Sequence, residues 1–360
     1  MSSLDTLRIS SIRNIEQAEL CPSPKLNLIY GENGSGKTSI LEAIHLLAMG
    51  RSFRSSKTST VISEGDLELT IFAETQNGNR VGLVKPRRQT HQLKLDSENQ
   101  KNWDRVARCL PTQVLDSSSF LLLEGGPKAR RRFLDWGVFH VEHGFLNEWR
   151  KSRKCIANRN LLLKGMNPDE SQLRAWDREL CEAALEVDQA RQRYFDQFIP
   201  AFEKVYSSLT GKGGVAVDLK YQRGWDSDIE LMDVLIASRQ QDTKYGSTQN
   251  GPHRADIIVK AGSIAAIDVL SRGQQKVLVS ALKITQGMLF SSAIGEQCIY
   301  LVDDLPAELD PVNRAKILEM LIDLDGQLFV TCVEQSSVVN CLQNPPQMST
   351  FHVERGTITG

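Results

Sequence analysis

Residues 26–50 read LNLIYGENGSGKTSILEAIHLLAMG, and three signals inside this run decide the fold. Leu26, Leu28 and Tyr30 belong to an apolar stretch of strand length. GENGSGKT at 31–38 follows it and fits the pattern G-x-x-x-x-G-K-[ST]. SILEAIHLLAMG then carries apolar residues at helical spacing and closes at Gly50. Strand, glycine-rich turn and helix in this order set a row of backbone N–H groups at a helix N-terminus, where the dipole favours anions. Gly31, Glu32, Asn33, Gly34, Ser35 and Gly36 are therefore expected to wrap phosphate oxygens. The Lys37 ammonium is expected to reach the outer phosphates of a bound ATP, and the Thr38 hydroxyl to ligate Mg2+.

Working outward, Leu7 and Ile9, then Leu26, Leu28 and Tyr30, read as two strands around a turn at Pro22 to Pro24. DLELTIFAE and RVGLV, separated by Asn77-Gly78, read as a hairpin. From Lys128 to about Leu209 glycines are few and the spacing turns helical. Leu173, Trp176, Leu180, Ala184, Val187, Ala190, Tyr194 and Phe198 form one face, which Pro200 is expected to interrupt. A turn-rich region at 223–228 and a polar loop near 240–253 come next. The last third then alternates strand and helix: ADIIVK, the run from Ser271 to Leu289, CIYLVDD, PVNRAKILEMLIDL and GQLFVTC.

The segment CIYLVDDLPAELD at 298–310 delivers two adjacent acids at the end of an apolar strand. Asp303 is placed to hold the metal through its water shell, and Asp304 to orient or deprotonate an attacking water, with the loop running on to Glu308, Leu309 and Asp310. Lys37 and Asp303 stand 266 positions apart (303 − 37), so a long insertion splits one nucleotide-binding domain. SRGQQK at 271–276 opens the helix just upstream of those acids, and it resembles the L-S-G-G-Q signature of ABC ATPases with Arg272 in place of the first glycine. Ser271, Arg272, Gly273 and Gln274 would present a positive helix end to a γ-phosphate, which in that family belongs to the partner subunit. An ATP-dependent homodimer follows. Gln113, after the step CLP, is either a metal- and water-sensing glutamine or a surface side chain; Arg13 resembles the early arginine that head ATPases set on the nucleotide phosphates.

The expected fold class is therefore α/β: an ABC-type P-loop ATPase head of mixed sheets and flanking helices, carrying an inserted compact helical lobe. Its parts are 1–119 with the phosphate loop, 120–240 as the lobe, and 241–360 with the signature and the strand-end acids.

Composition narrows the function. The 360 residues, 41% hydrophobic, contain no apolar run near the roughly 20 residues that span a bilayer, and the N-terminus lacks a secretory layout; a cytoplasmic protein without a membrane role is expected. Seven scattered cysteines show neither a disulfide framework nor zinc spacing. A net charge of −1 argues against coating DNA by bulk electrostatics, so any DNA contact must be local. The candidate cations are Lys128, Arg130, Arg131, Arg132, Arg150 and Lys151, with a further cluster at Lys85, Arg87 and Arg88. No Ser-His-Asp arrangement or nuclease-like acid cluster is visible.

Several stretches go beyond the nucleotide motifs: GRSFRS at 50–55, FLLLEGGPKARRRFLDW at 120–136 and GPHRAD at 251–256, beside SRGQQK and LVDDLPAELD. With these the chain, over essentially its whole length, resembles the bacterial RecF family. Two departures stand out: Ser117 and Ser118 replace a proline and an acid, and Cys332 in V-T-C stands where many head ATPases carry a switch histidine. The resemblance implies ATP-dependent dimerisation on double-stranded DNA, recognition of single-strand/duplex junctions at gaps, weak DNA-stimulated ATP hydrolysis, and cooperation with RecR and RecO to load RecA. Two other readings share the nucleotide motifs, the ATP-binding subunit of a membrane transporter and the head ATPase of a nuclease complex. The first lacks the GPHRAD and EGGPKARRRF stretches, and the second needs a long coiled coil and zinc hook that this chain lacks.

Overall fold

A computed structural model of the chain describes residues 3–165, 169–304 and 309–360; Glu308 of the strand-end motif lies outside them. The chain divides into two compact units. The head comprises Met1–Phe120, Val205–Gly211 and Arg272–Gly360, and the lobe Leu121–Lys204 and Lys212–Ser271.

Two six-stranded sheets build the head. The first runs in the order Ile15–Leu20, Leu4–Ile12, Glu68–Thr75, Arg80–Pro86, Gln92–Leu95, Glu98–Asn99, with antiparallel neighbours throughout. The second runs Thr357–Thr359, Met348–Glu354, Leu26–Tyr30, Gln327–Cys332, Ile299–Val302, Thr112–Leu115. It is parallel except for its C-terminal hairpin.

The two strands read on either side of Pro22 to Pro24 both form but belong to different sheets. Leu4–Ile12 pairs with Ile15–Leu20, Leu7 opposite Leu20, and Leu26–Tyr30 lies in the other sheet. At the sheet edge, IEQAEL buries only its two ends, Ile15 and Leu20, and leaves Glu16, Gln17 and Glu19 exposed. Arg13 takes a left-handed φ of 56° at the tight turn before it. The hairpin at Asn77-Gly78 forms as expected, Glu74 opposite Arg80.

Helix Lys37–Met49 is buried almost all round, so it sits within the core between layers. Ile40, Leu41, Ile44, Leu46 and Leu47 share one hydrophobic cluster with Leu7 and Ile71 of the first sheet and Ile29, Leu301 and Phe329 of the second. Each such side chain contributes about 1.5–3 kcal/mol by burial. Gly50 ends the helix with a left-handed φ of 68°, its N–H donating to the Leu46 carbonyl. A Cβ there would lie 2.6 Å from the Trp103 ring. Helix Arg272–Ile294 is long and apolar enough to cross a membrane by length and composition alone. It spends that character on the head, where Val277, Leu278, Ala281, Leu282 and Ile284 are buried.

The lobe is mainly helical, with a three-stranded antiparallel sheet of Ile264–Ala265, Asp256–Ala261 and Asp218–Gln222. Helix Glu170–Thr210 runs through Pro200 instead of being interrupted there. Proline removes one backbone hydrogen bond, but Pro200 lies on the exposed side and the apolar stripe continues past it through Phe202, Val205 and Leu209. Part of the polar region near 240–253 is helical as well, Arg239–Tyr245.

The stretch 241–271, expected with the C-terminal head, packs in the lobe. Arginines tie it there. Arg130 grips Asp256 with two N–H groups at 2.7 and 2.9 Å, Arg131 donates to the Ala255 carbonyl at 2.6 Å, and Arg191 donates to the Pro252 carbonyl at 2.7 Å. Deeper in the lobe, fully buried Arg159 bridges Asp177 and Asp242 at 2.6 Å each.

Candidate nucleotide site

The loop Gly31–Gly36 leaves the parallel strand Leu26–Tyr30 and turns into helix Lys37–Met49. Its glycines are conformational requirements. Gly31 has a φ of 146° and a Cβ there would meet the Val353 carbonyl oxygen at 2.2 Å, while Gly36 has a φ of 122°. Asn14 braces the loop from the first hairpin, its amide donating to the Ser35 carbonyl at 2.8 Å. The C-terminal hairpin adds a second brace, Gly356 N–H to the same carbonyl at 2.8 Å.

Lys37 donates to the Gly31 and Glu32 carbonyls, both at 2.8 Å. Burial lowers its pKa, opposed by the nearby charges of Asp304, Cys332 and Asp303. The Thr38 hydroxyl donates to Asp303 Oδ1 at 2.8 Å, so the two residues expected to serve the metal meet across more than 260 positions of sequence. Burial raises the Asp303 pKa, and the hydrogen bonds from Thr331 and Thr38 oppose that rise. Asp304 follows with a left-handed φ of 48°, a conformation that a non-glycine residue holds only at a cost.

A cavity of about 260 Å³ is lined by Arg13, Asn14, Asn33, Gly34, Gly36, Lys37, Thr38, Ser39, Arg54, Asp303, Asp304 and Thr331. Backbone N–H groups, an ammonium, two guanidinium groups and a hydroxyl–carboxylate pair around one such space fit a polyphosphate with a hard, oxygen-seeking divalent ion.

Some expected residues sit differently. Arg13 lines the cavity, but its fork is committed to the fully buried Glu42 at 2.8 and 2.9 Å, with a further bond to the Thr60 carbonyl. Gln113 is not part of the site. On its strand it faces helix Arg272–Ile294, donating to Gln286 at 2.8 Å and accepting from Lys283. Ser271, Arg272, Gly273 and Gln274 are exposed at the start of that helix and do not line the cavity of their own chain. Cys332 is fully buried at the end of its strand, and burial pushes its thiol up to about 11.

Four lining residues escaped the reading of the sequence: Asn14, Ser39, Arg54 and Thr331. Arg54 in GRSFRS keeps 48% of its side chain exposed beside Glu42, in a stretch that carried the resemblance without a role for this residue. Asn14 had only its place beside Arg13 as a signal, and Thr331 only its place beside Cys332.

Of the expected DNA cations, Lys128, Arg132 and Arg150 are exposed on lobe helices, and Lys151 is half-buried and paired with Glu182 at 3.2 Å. Arg130 and Arg131, expected on the DNA, instead turn their charges inward onto Asp256 and the Ala255 carbonyl. Arg87 of the head cluster is likewise spent, holding the Asp66, Ile62 and Ser63 carbonyls.

A phosphate loop on a parallel strand, strand-end acids on a second strand two places along the same sheet, and an intervening helical lobe define an ABC-type P-loop ATPase head. Comparison with known proteins narrows this. The model of the RecF/RecN/SMC N terminal domain matches residues 3–359. DNA replication and repair protein RecF of Pseudomonas fluorescens is 44% identical over 99% of this chain and 98% of its own, and that of Pseudomonas syringae pv. tomato is equally similar. The chain belongs to the RecF family. A solved structure of the recombination mediator protein RecF-ATPrS in the RecFOR pathway is 25% identical, with a TM-score of 0.84 over 99% of this chain and 97% of the other. An Smc head bound to the C-winged helix domain of ScpA shares the fold at 15% identity and a TM-score of 0.58, over 99% and 96% of the two chains.

Proposed function

We propose that this chain is an ATP-operated DNA clamp of recombinational repair, working in the cytoplasm. Gly31 to Thr38 would hold ATP, and Thr38 and Asp303 would hold Mg2+. The observation that supports this most is the 2.8 Å bond from Thr38 to Asp303 at the mouth of the phosphate loop. Mg2+ held by these two residues would supply positive charge to the phosphate oxygens. Lys37 adds a second positive charge, Arg54 and the remaining donors of Arg13 a third and fourth, and Asp304 orients or deprotonates the attacking water.

The exposed Ser271 to Gln274 helix end supports a composite site, in which each copy completes the nucleotide site of the other and a symmetric homodimer forms with ATP. Hydrolysis removes the γ-phosphate contact and opens the pair. Slow, DNA-dependent turnover fits a clamp that must persist. Lys128, Arg132, Arg150 and Lys151 neutralise duplex phosphates without reading bases, near single-strand/duplex junctions. The family resemblance supplies the partners, RecR and RecO, and the loading of RecA as the outcome.

Lys37→Ala tests the reading. With ATP and Mg2+, light scattering should show the wild type doubling in mass and the variant remaining a monomer. A variant that pairs as well as the wild type removes the composite site.

A further inference from the structure

Strand Gln327–Cys332 lies in the sheet between the strand that leads to the phosphate loop and the strand that delivers the two acids. Thr331, near its end, is 1% exposed and lines the cavity. Its hydroxyl donates to Asp303 Oδ1 at 2.8 Å and accepts from the Asp304 backbone N–H at 2.7 Å. One oxygen thus binds both acids, through the side chain of the first and the main chain of the second. Asp304 needs such a tie, because its φ of 48° is unfavourable for a residue with a Cβ and persists only where the surroundings hold it. Asp303 needs it too, since a buried carboxylate is stable only with its lone pairs engaged. Oδ1 takes the Thr331 and Thr38 hydroxyls together, while Oδ2 takes the longer contact from Thr38, 3.1 Å.

We propose that Thr331 is a positioning residue for phosphoryl transfer: its single hydroxyl fixes the metal-holding acid and the water-orienting acid relative to each other. The inference rests on the ATPase reading above. It assigns Thr331 no contact with substrate. A bulk-packing role would need only a β-branched side chain of this volume, which valine supplies; the hydroxyl matters only if the two bonds matter.

The experiment compares Thr331→Val and Thr331→Ser in the full chain, with Thr331→Ala as a second hydroxyl-free variant should valine not fold. Binding of a fluorescent ATP analogue is titrated without metal, then against Mg2+, and turnover is measured at saturating ATP. Loss of the hydroxyl should leave metal-free affinity within about twofold, raise the Mg2+ concentration for half-saturation by about tenfold and lower kcat by roughly ten- to a hundredfold. Serine should restore both. Wild-type Mg2+ dependence and turnover in Thr331→Val would overturn the proposal, as would a serine variant no better than valine. A wild-type chain that binds no nucleotide would instead overturn the ATPase reading, and this inference with it.

Discussion

Arg130 separates a structural charge from a DNA-binding one. Its guanidinium donates twice to Asp256, at 2.7 and 2.9 Å, and once to the Gly125 carbonyl at 2.8 Å. Arg130→Ala removes all of these and strands the carboxylate. Breaking a fully buried pair costs about 3–5 kcal/mol. Here the two side chains keep 16% and 11% exposure, so water softens the penalty and the lower end applies, about 3 kcal/mol. That is on the order of a hundredfold in the folding equilibrium. At roughly 3 °C per kcal/mol for a unit of about 150 residues, the lobe should melt some 10 °C earlier. Calorimetry of the full chain reads this directly. Arg132→Ala, one turn away from Lys128 and exposed, is the control: its melting should stay within about 1 °C, while its DNA affinity falls and its salt slope shrinks by about one. Should Arg130→Ala melt like the wild type yet lose more DNA affinity than Arg132→Ala, the structural assignment of Arg130 is refuted.

Asp304→Asn should bind ATP and pair, but turn over about 10² to 10⁴ times more slowly, giving a dimer that persists in light scattering; unimpaired turnover would remove Asp304 from its role. His45, 7% exposed on the phosphate-loop helix, donates from Nδ1 to the Arg51 carbonyl at 2.7 Å, and burial lowers its pKa to about 3. Because the folded value lies below the unfolded one, this residue's contribution is complete above about pH 6.5 and is lost as pH falls toward 3, at about 1.4 kcal/mol per unit. Urea midpoints of the head between pH 7.5 and 5 should therefore fall in the wild type and fall less in His45→Gln; parallel slopes would show that His45 is protonated in the fold.

The phosphate loop was legible because its sequence signal is local: the strand before, the glycines, Lys37 and the start of the helix after lie within about a dozen residues. The strand-end acids were legible for the same reason, and the order of motifs carried the split head. Pairing was not. Period two says which face of a strand such as Leu4–Ile12 is buried, not which strand lies alongside. Gln113 lies within its strand and faces helix Arg272–Ile294, outside the cavity lining. Thr331 and Asn14 act through partners 28 and 21 positions away, Asp303 and Ser35, and residue type alone does not announce such partners.

The basic run of the lobe sits between these extremes, since its division was present in the sequence but not in the count of charges. Helix Pro127–Val141 buries Phe133, Leu134, Gly137 and Val138. Arg130 and Arg131 lie three or four positions before that apolar face and must share it, whereas Lys128 and Arg132 stand one turn apart on the opposite side. An arginine on the inner face has to find an acid or carbonyl, and Asp256 and Ala255 provide them from 126 and 124 positions away. Helical phase, applied before net charge, thus separates the arginines that assemble the lobe from those able to meet a phosphate backbone.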